Sequence, residues 1–334
     1  MESTRLTMNA CTGTDKPRIA ILMAVYEPRM DWLREQLLSL NAQTYPNLVL
    51  YVRDDCSPTV PYEEIQSCVQ DCISAFPYTI QRNEKNLGSN GTFELLTREA
   101  EGEYFAYCDQ DDVWLPEKIE RLKDSLLKKQ ALLVCSDMYV IDENGMIIAD
   151  SIRKVRRHHV FCSGERLSRK LLFSNFVTGC TMMVNSKMAK AAVPFCPYMV
   201  HDHYLALWSA EHGKIYSESR PLIRYRIHGA NQTNVMSGVK DKRSYGEIRI
   251  RLSKNKFEWL KEHFPCGQET KEAINQGLIW SDARLRSWNH RGGMGTLWKY
   301  RNLNRIVSAA ECCLKYMPNS VFMAAVRLAR NNKV

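Results

Sequence analysis

The chain has 334 residues, 45% hydrophobic and 25% charged, which is the profile of a globular protein with one large domain and an extension. Lysine plus arginine exceed aspartate plus glutamate by 46 − 37 = 9, a balance that favours anionic partners such as nucleotides, lipid phosphates or a membrane face. No helix-turn-helix, zinc-finger or RNA-binding signature accompanies that charge, so nucleic acid is not the expected partner, and no apolar run reaches the ~18–20 residues that span a bilayer.

The N-terminal tail, residues 1–17, is polar and lacks the apolar segment of a secretory signal, so a cytoplasmic protein is expected, with peripheral contact at a membrane left open. From Ile19 to Val25 the sequence is continuously apolar, as in a strand buried on both faces. Leu33, Leu37 and Leu40 follow at helical spacing, with Asp31 as N-cap. Leu48 to Val52 is a second strand ending in Asp54-Asp55-Cys56-Ser57, and Tyr78 to Ile80 a third, followed by Asn86-Leu87-Gly88. Phe93, Leu96 and Ala100 mark a helix. A fourth strand then runs into Asp109-Gln110-Asp111-Asp112, with Pro116 at the start of the next helix and a fifth strand from Ala131 to Cys135. This alternation predicts an α/β fold with a mostly parallel sheet flanked by helices.

Ser151 to Lys170 turns basic and reads as a mobile loop, either ordinary or a lid. A helix is expected from near Asp202 to Gly213, then short strands over Lys214–Ser217 and Leu222–Ile227. Beyond Val235, Asp241–Phe264 and Leu297–Arg330 read as basic amphipathic helices separated by Gly292-Gly293. The 12 cysteines include no C-x-x-C pair, and Cys108, Cys135 and Cys180 lie in apolar runs, so reduced, packed thiols are expected.

The chemistry concentrates at strand ends. Tyr26-Glu27, Asp54-Asp55, Asn86 to Gly88 and Asp109 to Asp112 would be gathered by the fold into the crevice outside the carboxyl ends of the strands. Three carboxylates within Asp109–Asp112 repel one another unless a cation sits among them. Mg²⁺ or Mn²⁺ suits such oxygen ligands, with substrate phosphates completing the shell.

In order, Met23-Ala24-Val25-Tyr26, Glu35-Gln36-Leu37 with Gln43-Thr44, Asp54-Asp55-Cys56-Ser57, Asn86-Leu87-Gly88, Asp109-Gln110-Asp111-Asp112-Val113-Trp114, His201-Asp202 and Tyr225-Arg226-Ile227-His228-Gly229-Ala230-Asn231-Gln232 resemble a family 2 glycosyltransferase with the GT-A, Rossmann-like fold. The acidic motif and the Tyr-Arg-x-His-Gly ending are similar to those of bacterial rhamnosyltransferase-like enzymes of surface polysaccharide synthesis. The resemblance implies a catalytic domain over residues 18–235 with a basic helical extension over 236–334. It implies an inverting transfer from a dTDP- or UDP-sugar to a glycan or lipid-linked glycan, at the inner face of the membrane, with a homodimer left open.

The resemblance also carries roles onto matching positions. Asp111 and His228 would bind metal, and Asp109 and Gln110 would contact the donor. Asp112 would do either or orient its neighbours. Val25, Tyr26 and Glu27 belong to the nucleotide site. Asp54 would accept from the base N3–H, while Asp55 shares that contact or caps its turn. Asn86, Gly88, Asn175 and Gly179 would line the donor, and Arg224 and Arg226 are natural partners for the diphosphate. Asp202 matches the position of the base that takes the acceptor proton. His201 departs from the family pattern, and its role stays open.

Three other readings fit the residues less well. A sugar-phosphate nucleotidyltransferase needs a glycine-rich loop after the first strand, where Tyr26-Glu27-Pro28-Arg29 stands instead. A degenerate sugar-binding protein is disfavoured by the intact aspartates. A dinucleotide-binding dehydrogenase lacks its G-x-G-x-x-G.

Overall fold

The computed structural model describes residues 16–156, 159–229, 236 and 238–331. Most of the expected N-terminal tail, Arg157 and His158 of the basic loop, Ala230, Asn231 and Gln232 of the last motif, and the boundary at Val235 lie outside the described residues.

Among the described residues, nine strands form one mixed sheet. They are β1 (Ile19–Val25), β2 (Leu48–Asp54), β3 (Tyr78–Arg82), β4 (Tyr104–Cys108), β5 (Val113–Trp114), β6 (Leu133–Ile141), β7 (Ile147–Ala149), β8 (Met182–Asn185) and β9 (Ile215–Arg226). Their order is β3-β2-β1-β4-β8-β6-β9-β5, with β7 on β6. The β3-β2-β1-β4 half is parallel, β6 and β9 are parallel, and β8 is antiparallel to both its neighbours.

The apolar run of β1 has a direct cause. Parallel β2 and β4 flank it and helices cover both faces. Ala20 and Leu22 point into one core cluster, while Ile19, Ile21, Met23 and Val25 point into the other. The chain leaves β1 toward β2 and β3, then returns to β4 on the other side. The crevice therefore opens between the ends of β1 and β4.

The helices of this region are α1 (Met30–Asn41), α2 (Tyr62–Cys72), α3 (Gly88–Glu99), α4 (Lys118–Lys129), α5 (Ile152–Val155), α6 (Ser168–Phe173), α7 (Ser186–Ala191) and α8 (His201–His212). Several local expectations are corrected. Arg29, not Asp31, occupies the N-cap of α1, and Asp31 instead takes the Arg29 guanidinium at 2.5 Å. Pro116 does not begin a helix: β5 follows the acidic motif, and α4 starts at Lys118, where Gln43 Oε1 accepts from Ile119 N. The two short strands expected after Gly213 are one strand, β9, whose register with β6 shifts around Asp137. The basic loop is tied down at its start, where Asp137 accepts from Ser151 Oγ and Ile152 N.

The C-terminal region holds α9 (Lys242–Tyr245), a π-turn over Gly246–Arg251, α10 (Leu252–His263), α11 (Gln268–Trp288), α12 (Met294–Lys299), α13 (Arg305–Leu314) and α14 (Asn319–Asn331). The 21-residue α11 lies where only a glycine-rich separator was expected. Phe257, Leu260, Ala273, Ile274, Trp280 and Ala283 join the cluster that contains Ala20 and Leu22, so α10 and α11 share the core of the sheet. A smaller cluster gathers Tyr245, Trp288, Phe322 and Val326. All described cysteines are free. No helix among the described residues is long and apolar enough to cross a membrane.

Candidate active site

The ends of β1 and β4 are joined first. Gln110 Oε1 accepts from Tyr26 N at 2.8 Å, and Gln110 Nε2 donates to Tyr26 O at 3.0 Å. Val25 is buried beneath this link. Glu27, at φ 45°, accepts from Thr59 and Val60, which holds its carboxyl below the usual range.

Asp111 and His228 come together across the site, with Nε2 2.8 Å from Oδ2 and both side chains partly open to solvent. They are 117 residues apart in sequence. His228 leans against the Trp32 ring, centroids 4.9 Å apart. Behind them Asp112 is sealed. Its Oδ1 accepts from Arg226 N at 3.0 Å, and its Oδ2 has no hydrogen bond among the described residues. Burial, then Asp111 and Asp109, push the Asp112 carboxyl well up. Asp109 is pushed up to about 7 by burial, then by Asp111 and Asp202.

Such carboxylates are short of positive charge, and the donor set fits a hard divalent cation. Asp109, Asp112 and Cys180 bring ligand atoms within 4.8 Å of one another. Burial keeps Cys180 a thiol, a poor ligand for a hard cation, so Asp111 and His228, which reach solvent, are the better-placed pair.

Lys118 was not foreseen. It is fully buried, its Nζ 3.2 Å from the Trp114 ring centroid, and it donates to Cys180 O. Burial pulls it down to about 8, against Asp112 and Asp109, which favour its charge. The sequence sign was a lysine at the first residue of a helix, against the helix dipole.

Asp202 lies in the first turn of α8, 7% exposed. Its Oδ2 accepts from Gly179 N at 3.0 Å and its Oδ1 from Asn175 Nδ2 at 3.2 Å. Burial pushes it up to about 6 despite these bonds. His201 turns inward, its ring 4.1 Å from that of Phe93 and 5.4 Å from that of Tyr107. Burial holds it down at about 3, and its Nε2 has no hydrogen bond among the described residues. A Cβ on Gly179 would fall 2.7 Å from that Nε2. Gly179→Ala should therefore cost about 1–3 kcal/mol of stability and displace the N–H that holds Asp202. Thermal melting and turnover would check this. Adding His201→Ala should recover part of both, and no recovery would show that the clash is not with this ring.

Two residues expected at the donor are engaged within the protein. Arg226 is 1% exposed and does not reach outward. Its Nε donates to Asp111 O at 2.8 Å, its Nη1 to Glu143 O at 3.2 Å, and its Nη2 to Glu35. It holds the backbone of the acidic loop, while Arg224, two residues earlier on that strand, is exposed. Asp54 is fully buried, its oxygens accepting from Ser57 N and Ser57 Oγ and paired with Arg82 Nε. Asp55 holds Asn83 Nδ2 and Leu87 N, which is the turn-capping alternative. Asn86 Oδ1 accepts from Gly88 N, and Gly88, at φ 72° with open space around it, opens α3.

The sequence model of glycosyl transferase family 2 matches residues 20–190, just over half of the chain. The chain belongs to glycosyl transferase family 2. It is 26% identical over 255 residues to an uncharacterized glycosyltransferase of Methanocaldococcus jannaschii, covering 75% of this chain and 82% of the other. It is 27% identical over 229 residues to one of Rickettsia typhi, covering 66% and 68%. Its fold resembles S. aureus TarS 1-349 in complex with UDP-GlcNAc, with a TM-score of 0.57 at 15% identity over 95% of this chain and 88% of that one. It also resembles a mannosyltransferase of Pyrobaculum calidifontis in complex with GDP-Man and Mn²⁺, with a TM-score of 0.55 at 14% identity over 96% and 85%. The family 2 transferase thus has its acidic loop, Asp202 and His228 around one GT-A-like crevice.

Proposed function

We propose that this transferase is an inverting enzyme that needs a divalent cation and moves a hexose from a dTDP- or UDP-sugar to a glycan or lipid-linked glycan. Rhamnose is the candidate sugar, surface polysaccharide the product class, and the cytoplasmic face of the membrane the workplace. Residues 18–235 are its catalytic domain and 236–334 its helical extension. The observation that carries the reading is the sealed carboxylate of Asp202, held by Gly179 and Asn175 and near enough to Asp109 to raise its pKa.

Asp202, with a pKa of about 6, is mostly ionised at neutral pH and still basic enough to accept a proton. It takes the proton of the acceptor hydroxyl as that oxygen bonds to the anomeric carbon. The bond from that carbon to the diphosphate oxygen breaks, its electron pair leaves with the diphosphate, and configuration inverts. Asp111 and His228 would hold the cation, with Asp109 and Asp112 behind, and when bound it supplies Lewis-acid neutralisation of the leaving diphosphate. Arg226 keeps the Asp111 backbone in place, and Gln110 keeps the two strand ends together.

The relatives solved with UDP-GlcNAc and with GDP-Man and Mn²⁺ support a nucleotide sugar and a cation as ligand classes. The choice of uracil or thymine rests on the resemblance. The test is diphosphate release across dTDP-, UDP- and GDP-sugars, with and without chelator, followed by NMR of the product. Turnover of a pyrimidine donor, lost in chelator, with inverted configuration is expected. Full turnover in chelator would remove the cation, and retained configuration would remove Asp202 as base.

A further inference from the structure

The most deeply buried side chains of α13 are polar: Ser308, Glu311 and, just past its end, Lys315 are 3%, 3% and 7% exposed, beside the half-buried Val307, Cys312 and Leu314. Each polar group has a partner. Ser308 Oγ accepts from Trp280 Nε1 at 3.0 Å. Glu311 takes Arg284 at 2.6 and 2.8 Å and the Tyr245 hydroxyl at 3.1 Å. Lys315 Nζ donates to Ser287 Oγ at 2.9 Å. Rotating the helix would strand these groups in the core, so its orientation is specified.

The outward face is apolar. Ile306, Ala309, Ala310 and Cys313 recur at spacings of three and four and are all exposed, Ile306 at 68%. Helix α14 shares the apolar outward stripe, while its inner face is apolar as well. Phe322 and Val326 are buried against Tyr245 and Trp288, while Val321, Ala324 and Leu328 face out. Trp298 is 66% exposed, with the Arg301 guanidinium 4.3 Å over its ring.

The charge on this segment has one sign. Between Met294 and Asn331 the one acidic residue is Glu311, buried and neutralised by Arg284. Lys299, Arg301, Arg305 and Arg327 are all basic, and none forms an ion pair among the described residues. Two copies of the chain meeting across a two-fold axis would set these cations against themselves. An anionic surface with an apolar interior matches both the charge and the stripes.

We infer that the outward faces of α13 and α14, with Trp298 and the basic residues beside them, form a docking surface for a bilayer bearing anionic lipid headgroups. None of the crevice residues takes part, so this surface and the transfer chemistry can fail separately. The experiment is co-sedimentation of the full chain with phosphatidylcholine vesicles and with vesicles that also contain phosphatidylglycerol, at low and high salt. Binding is expected to the mixed vesicles and to weaken with salt. Ile306→Asp/Leu328→Asp and the milder Arg301→Gln/Arg305→Gln should each lower partitioning by on the order of tenfold while diphosphate release from soluble donor persists. Absence of binding, equal binding to neutral vesicles, or variants that partition like the parent would overturn the assignment. So would sedimentation velocity showing a dimer that Ile306→Asp/Leu328→Asp dissociates, since a second copy would then own this face.

Discussion

Asp202→Asn should lower kcat by roughly 10²- to 10⁴-fold, the usual worth of a general base, while donor affinity changes little. The substituted amide accepts no proton. It also meets a fixed neighbour: Asn175 Oδ1 is committed to Val177 N and its Nδ2 to Val177 O, so that Nδ2 stays aimed at residue 202. If the new amide keeps its oxygen toward Gly179 N, two donors face each other. The cost, about 1 kcal/mol, opposes the gain from removing a buried carboxylate, so the melting temperature should move little. The pH profile separates the chemical role from a structural one. In the parent enzyme kcat/KM should climb with pH through about 6 and then level off, because the active form is deprotonated. In the variant the residual rate should lose that limb. A limb that survives at the same pH would assign the titration to another group and sink Asp202 as the base.

What was legible in the sequence was whatever depends on local pattern. The run of β1 announced burial on both faces, and the polar clusters at strand ends fell where the β1–β4 crevice opens. What failed depends on elements far away in the chain. Arg224 and Arg226 stand on the same side of β9 by alternation, yet only Arg226 lies under Glu35 of α1 and the carbonyls of Asp142 and Glu143. Asp54 and Asp55 look equally available in sequence. Each is engaged by its own loop, Asp54 by Ser57 and Asp55 by Leu87. Trp32, which backs His228, carried no signal beyond the apolar pattern of α1. The buried polar groups of α13 were unreadable because their partners, Trp280, Arg284 and Ser287, sit on α11. That helix escaped notice with Gly277 interrupting its stripe.

Asp111→Asn should cost at least about a hundredfold in turnover, and its decisive readout is stability against pH and cation. Without metal, Asp109 sits at about 7, Asp202 at about 6 and Asp112 well above the usual range, all raised by burial from an unfolded value of about 3.9. The native state then binds more protons than the unfolded chain between those values. The stability these groups contribute is fully present below pH ~4 and is lost as pH rises through 6 and 7. His201 and His203, held down at about 3 by burial, oppose this below their unfolded value of about 6.5, so metal-free protein should melt at a lower temperature at pH 8 than at pH ~6.5. Mn²⁺ should raise the melting temperature at pH 8, where it meets ionised carboxylates, and much less at pH 5.5, where protons compete with it. At a hundred times its dissociation constant the cation would add about 2.7 kcal/mol, a shift of several degrees. Asp111→Asn should lose most of that shift while keeping the metal-free decline with pH, because Asp109, Asp112 and Asp202 remain buried. A variant that responds to Mn²⁺ like the parent at pH 8 would move the cation off the Asp111–His228 pair and onto the deeper Asp109 and Asp112 carboxylates.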